Sequence, residues 1–235
     1  MRAKWIPVAI AVAVVAMPAR AEDPPAPTRA HYKVATNNMK NIALAVHNYA
    51  SSYQDKLPGD ITDKDGKPLL SWRVAILPFV EEDKLFKEFK LDEPWDSENN
   101  KRLIAKMPKL YAPVRVTAKE GLTYYQRFTG PGTLFDPKPK FTIGNVPDGT
   151  SNTGLVFEAG DPVIWSKPGD LAYDAKKPLP KLGAHFSGMW CHVALCDGSV
   201  IRMKQDADEK ELRKLILPAD GEVLDTDKLT KELLL

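Results

Sequence analysis

The residue types best suited to chemistry gather in one short stretch of this chain: His185, Cys191, His192 and Asp197, each a potential metal ligand. Their spacing argues against a metal site. If the apolar run Trp190 to Cys196 is a strand, the adjacent Cys191 and His192 point to opposite faces. Neither a Cys-x-x-Cys nor a His-Glu-x-x-His pattern occurs. A hydrolase would use a nucleophile elbow of the Gly-x-Ser-x-Gly type, and neither Ser151 nor Ser187 sits in one. Ser151, within Asp148-Gly149-Thr150-Ser151-Asn152-Thr153, reads instead as part of a turn whose hydroxyls and amide tie down the backbone. Asp63-Lys64-Asp65-Gly66 looks superficially like a calcium loop. Ile61 and Trp72 stand where the acidic ligands of an EF-hand would have to be, so it is turn chemistry. No catalytic residue, metal ligand or cofactor site is therefore expected, and the chain does not read as an enzyme.

One segment has the composition of a binding surface. Trp165 precedes a stretch from Ser166 to Lys181 that holds four prolines or glycines together with Lys167, Asp170, Tyr173 and Asp174. An aromatic platform beside polar groups on a surface loop suits a small solute or a glycan. The competing reading is that Trp165 pins the loop to the sheet.

The elements that must position these residues follow from periodicity. The first 21 residues are an address label: Arg2 and Lys4 precede an apolar run from Ile6 to Met17, and Ala19-Arg20-Ala21 offers the small-x-small pattern of a signal-peptidase site. Cleavage would leave Glu22 first. The apolar run is short of the roughly 20 residues that cross a bilayer, and the proline-rich spacer 22–30 cannot extend it, so no stable membrane anchor is expected after cleavage. Losing Arg2, Lys4 and Arg20 moves the formal charge from +2 to −1. A near-neutral chain has no electrostatic footprint for nucleic acid.

From Tyr32 the positions Ala35, Met39, Ile42, Val46, Tyr49 and Tyr53 recur at alternating intervals of three and four, a single helical stripe, with Thr28 placed as N-cap. His47 sits at its edge. Short helices are expected from Trp72 to about Val80, from Asp83 to Phe89 and from Ser97. Past Pro113 the texture becomes β-branched and aromatic, predicting strands at Leu122 to Phe128, Phe141 to Val146, Gly154 to Glu158, Val163 to Trp165, Trp190 to Cys196 and Ser199 to Met203. Asp197-Gly198 is a hairpin turn between the last two. Helix returns at Asp208 to Leu217 and Asp225 to Leu235. The only cysteines, Cys191 and Cys196, would lie roughly 16 Å apart on a strand, beyond the reach of about 7 Å that a disulfide allows, so they are expected as separate thiols.

The blocks Asn37-Asn38-Met39-Lys40-Asn41, Leu57-Pro58-Gly59, Ser71-Trp72-Arg73-Val74 and Leu91-Asp92-Glu93-Pro94-Trp95, with the later Asp148-Gly149 and Asp197-Gly198, resemble a bacterial family known as domain of unknown function 1559. The resemblance implies the pilin-like head of type IV pilins and type II secretion pseudopilins, in which a long N-terminal amphipathic helix packs on an antiparallel sheet. The family's His-x9-Asp-Gly pattern is not kept: eleven residues separate His185 from Asp197, and four separate His192 from it. The fold class expected is thus α+β, pilin-like, with extra short helices. One domain is expected over 31–235, divided into a helical part 31–112, a sheet part 113–204 and C-terminal helices 205–235. The function expected is that of an exported, periplasmic or extracellular, non-catalytic structural or interaction domain of the cell envelope, meeting an unidentified envelope protein or glycan. A solute- or glycan-binding protein using Trp165 to Lys181 is the alternative.

Overall fold

The computed structural model describes residues 28–114, 119–183, 190–204 and 207–230; the leader, the spacer up to residue 27 and His185 lie outside them. Helix α1 spans Arg29–Ser52. Its start is written in Thr28, whose hydroxyl accepts the His31 backbone N–H while the His31 ring accepts the N–H of Thr28, a reciprocal cap. Ala35, Met39, Ile42 and Val46 are buried as the stripe requires; Tyr32 and Tyr49 are half-buried, and Tyr53, the C-cap, is exposed. Each large apolar side chain so covered contributes about 1.5–3 kcal/mol. The chain then turns away through Gln54 and Asp55, both in the left-handed region at φ 58° and 59°.

A helical middle follows. Strands β1 (Ile61–Thr62) and β2 (Pro68–Leu70) form a small hairpin. Its turn is held by Asp63, whose carboxylate accepts the N–H groups of Asp65 and Lys67 at 3.0 and 2.8 Å. The helix expected from Trp72 to Val80 is broken: α2 runs only from Trp72 to Ala75, and Pro78 lies in the first turn of a separate 3-10 segment, Leu77–Val80. Proline carries no N–H and fits a first turn better than a helix interior. Helices α3 (Asp83–Glu88) and α4 (Glu98–Arg102) follow, the latter capped by the Ser97 hydroxyl. The buried Asn100 side chain donates to the carbonyls of Lys90, Glu93 and Pro94 and so ties the two together.

The sheet has four antiparallel strands in the order β3 (Leu122–Gln126), β5 (Gly154–Ile164), β7 (Trp190–Leu195), β8 (Val200–Lys204). The α+β architecture expected is thus present, with α1 laid on one sheet face. Under α1, Val156 and Ala194 join Met39, Ile42 and Val46 in one apolar cluster. The opposite face carries Phe157, Cys191, Val193 and Met203, covered by α5 (Glu209–Ile216), by Leu229 of α6 (Thr226–Leu229), and by a short parallel pair, β4 (Phe128–Thr129) with β6 (Leu171–Ala172). Cys191 and Cys196 are free and belong to different faces, as strand alternation demands. Among the described residues no helix is long and apolar enough to cross a membrane.

Candidate functional site

Among the described residues, two arginines and two aspartates meet inside the molecule. Ser71, at φ −66° and ψ 152°, caps α2 by accepting the Arg73 N–H, and this local turn sends the Arg73 side chain inward, where it is fully buried. Its guanidinium donates to the Ser71 hydroxyl at 2.7 Å, to the Tyr125 carbonyl at 2.8 Å and to Asp170 Oδ1 at 2.8 Å. Asp170 Oδ1 also accepts the Trp72 indole N–H at 3.2 Å and the Arg127 backbone N–H at 3.2 Å, while Oδ2 takes Arg127 Nε–H at 3.0 Å. Arg127 continues to the Pro58 carbonyl and to Asp60 Oδ1 at 3.4 Å. Asp60 in turn accepts the Trp72 backbone N–H at 2.9 Å. The Trp72 ring lies 4.9 Å from one guanidinium and 5.3 Å from the other. Two cations therefore face two carboxylates with every charge bonded, which is the condition under which buried ions are tolerated. Burial raises the Asp60 carboxyl above its ordinary range, Arg127 opposing it. Burial likewise lowers Arg73, against Asp170. The cluster joins the turn at Pro58, the start of α2, the end of β3 and the strand entry at Leu171. It is a clamp of four chain segments.

A second polar group runs across the sheet beneath the N-terminal half of α1. Strand register sets Tyr125 opposite Glu158 and His192 opposite Arg202. Glu158 and His192, both completely buried, meet between β5 and β7: Glu158 Oε2 accepts the His192 backbone N–H at 2.7 Å and lies 2.8 Å from ring Nδ1. With Glu158 ionised, Nδ1–H is the donor. From α1, Asn38 donates to the Tyr125 hydroxyl at 3.4 Å, and the Tyr32 ring sits 6.0 Å from His192 with the Arg202 guanidinium 5.1 Å over it. Burial, and next the Glu158 charge, push the Tyr125 phenol and the Cys191 thiol far up. Both stay protonated at neutral pH, so this arrangement suppresses nucleophiles rather than activating them.

The residues expected to form a ligand surface are held by different partners. Trp165 is fully buried, stacked on Tyr111, edge-on to Phe89 and donating to the Ile104 carbonyl at 3.0 Å: it pins the segment to the core. Asp170 is the hub of the clamp. Tyr173 is buried on the far side of the sheet beneath the Arg213 guanidinium, 5.6 Å away. Lys167 is exposed over the Trp95 ring at 5.0 Å, and the half-exposed Asp174 pairs with Lys177 at 3.4 Å. The Ser166 to Lys181 segment is therefore not the free surface loop its composition suggests: Ser166 and Leu171 are buried, and β6 lies within it. Ser151 does lie in a tied-down turn, with Asn152 and Thr153 donating to the carbonyls of Asp148 and Gly149. That turn meets the Asp197-Gly198 hairpin through Cys196 N–H to Thr153 and Asp197 N–H to Thr150. His47 completes the junction by reaching the Cys196 carbonyl at 2.9 Å. The residues that sequence reading passed over are Arg73, Arg127 and Glu158. A charged residue inside an apolar run, as Arg73 is in Trp72-Arg73-Val74-Ala75, was the available signal.

Residues 35–124 match the family model described as Protein of unknown function (DUF1559). Over this stretch the chain is similar to the DUF1559 family. The DUF1559 match takes in most of α1, all of the Ser71-Trp72-Arg73 turn and the first residues of β3, and so carries Asp60 and Arg73 of the clamp. Arg127 and Asp170 lie beyond it. No curated protein and no solved structure matches the chain.

Proposed function

We propose that this protein is an exported, non-catalytic interaction domain of the bacterial cell envelope, a pilin-type head that meets its partner through the outward side of α1. The observation that carries this reading is the division of labour along that helix. Its inner stripe is spent on the core, while its outer side leaves Val34 and Leu44 48% and 58% exposed among Asn37, Asn41 and Asn48. Isolated apolar side chains on a surface are ordinary, but two on one helix face, separated by amides that can both donate and accept, form a contact surface. The conspicuous ionisable groups, by contrast, are used internally. Export is supported by Arg2 and Lys4 ahead of the apolar run and by Ala19-Arg20-Ala21.

The test is to recover the protein from its native host. An intact mass beginning at Glu22, in a fraction outside the cytoplasm, is expected, with no turnover of a hydrolase substrate panel. Retention of residues 1–21 in cytoplasmic protein, or turnover that His192→Ala removes, would overturn the proposal.

A further inference from the structure

The exposed side of α1 has a spacing of its own. Lys33, Asn37, Lys40 and Leu44 follow one another at intervals of four, three and four residues, with Arg29 four before and Asn48 four after, and all six are exposed. At 3.6 residues per turn this is one stripe along the helix, and Arg29, Lys33 and Lys40 fall within about 40° of one another on it. The buried positions Met39, Ile42 and Val46 lie on the other side, against the sheet. The stripe carries a single sign of charge. Helix α1 has no aspartate or glutamate over its 24 residues, and among the described residues Arg29, Lys33 and Lys40 take part in no ion pair. Cations elsewhere on the surface do find carboxylates, as Lys90 does with Glu93, Lys106 with Glu88 and Arg213 with Glu209.

We infer that this stripe docks an acidic helix of a partner protein, an inference that rests on the reading of the protein as an interaction domain. Intervals of four and three are those of a coiled-coil seam, along which a second helix packs lengthwise. Cations at seam positions oppose an apolar helix, which would desolvate them without a partner, and favour one that brings carboxylates. Lys33 and Lys40 are seven residues apart, about 10.5 Å at 1.5 Å per residue, so the partner's carboxylates must recur at the same spacing of seven. Leu44 meets an apolar side chain of that helix, and the Asn37 and Asn48 amides set the register, as polar seam residues do. An anionic bilayer is disfavoured: Leu44 is the one large apolar residue of the stripe, too little to enter a membrane interface. A second copy presenting the same face is disfavoured because α1 has no carboxylate to offer it.

The experiment uses the full chain and fluorescein-labelled, alanine-based peptides of about 21 residues, three heptads each. The first carries glutamates seven residues apart with leucines on the same stripe. The second has glutamine in place of glutamate, and the third sets the glutamates five apart, off the stripe. Anisotropy should show the first binding in a salt-sensitive way, with a gain of helix by circular dichroism, and the other two not binding. Lys33→Glu with Lys40→Glu should weaken it roughly tenfold or more, about 1.4 kcal/mol, and a peptide with lysines in the glutamate positions should bind that variant instead. The melting temperature of the variant should be unchanged, because both positions are exposed. Equal binding of the first peptide and either of the others, or indifference to the double charge reversal, would overturn the inference. So would concentration-dependent dimers that Leu44→Asp disperses, or binding of phosphatidylglycerol vesicles without binding of the first peptide. Peptide failure in a protein that is correctly exported and processed would refute the acidic helix and leave the interaction reading standing; protein retained in the cytoplasm would refute the latter by itself.

Discussion

The buried clamp and the polar row beneath α1 lie in the same molecule and solve the same problem by different means. The clamp sets two arginines against Asp170 and Asp60, and it binds segments far apart in sequence: Arg73 and Asp170 are 97 residues apart. The row uses Glu158 and His192 on neighbouring strands, with one ring hydrogen bond and one backbone hydrogen bond to the same oxygen. The first ties the turn at Pro58 and the start of α2 to the end of β3 and the entry to β6. The second helps to seat a helix on a sheet that backbone bonds already hold. The lesson is that charge density alone does not mark a reactive site: among the described residues, each charge of this buried cluster is bonded to another member.

Removing Asp170 should separate the two most sharply. Asp170→Ala leaves two buried guanidinium groups facing each other without their shared carboxylate and is expected to cost about 3–5 kcal/mol, measured by denaturant unfolding. A loss below about 1 kcal/mol would mean that the clamp does not hold the loops. His192→Leu deprives the buried Glu158 of its ring donor but leaves the backbone N–H in place, so a smaller loss of about 1–3 kcal/mol is expected. A loss equal to or larger than that of Asp170→Ala would reverse the comparison.

This contrast also marks where the sequence was legible. The α1 stripe, its Thr28 cap, the Asp197-Gly198 hairpin and the Asp208-capped α5 are local patterns, and each appears where spacing and capping place it. Gly160, Asp161 and Pro162 separate Gly154–Glu158 from Val163–Trp165 in sequence, and the pattern predicts two strands. In the fold β5 is continuous, and the pairing with β3 jumps from Thr123↔Val163 to Tyr125↔Glu158, so that the intervening residues bulge outward and Gly160 N–H goes to Lys181. Phe141 to Val146 looked like a strand, but only the isolated bridge Thr142↔Asn145 forms there; its apolar side chains pack on the core from a turn. The clamp itself left no local trace beyond an arginine among apolar neighbours. Its partners are chosen by tertiary contact.

Alkaline pH should act on both faces of the sheet through protons that the folded state withholds. Burial pushes the Cys196 thiol up to about 12 from an ordinary 9.0, with Asp197 adding to it, and pushes Cys191 well above the same value. In the unfolded chain both thiols ionise above about 9, whereas in the folded chain they remain protonated. The unfolded state thus binds fewer protons, and stability must fall as pH rises from about 9 toward 12. Melting temperature followed from pH 8 to 10.5 should decline, and the slope should flatten in Cys191→Ala with Cys196→Ala; an unaltered slope would exclude the thiols as its cause. Native protein at pH 8 should leave both cysteines unmodified by a thiol reagent. Smallest of all, Leu44→Asp and Asn48→Asp, on the outward side of α1, should stay within about 0.5 kcal/mol of the parent; a larger loss would place that side against something the fold buries.

The central claim is that the charged interior holds the structure while recognition belongs to the outward side of α1. Its most direct test places a photo-crosslinking amino acid at Leu44 in the native host and compares the parent with Lys33→Glu and Lys40→Glu combined. The account predicts a discrete covalent adduct with an envelope protein from the parent and its loss in the charge-reversed variant, at an unchanged melting temperature. An adduct that survives the reversal, or none from either protein, would contradict it.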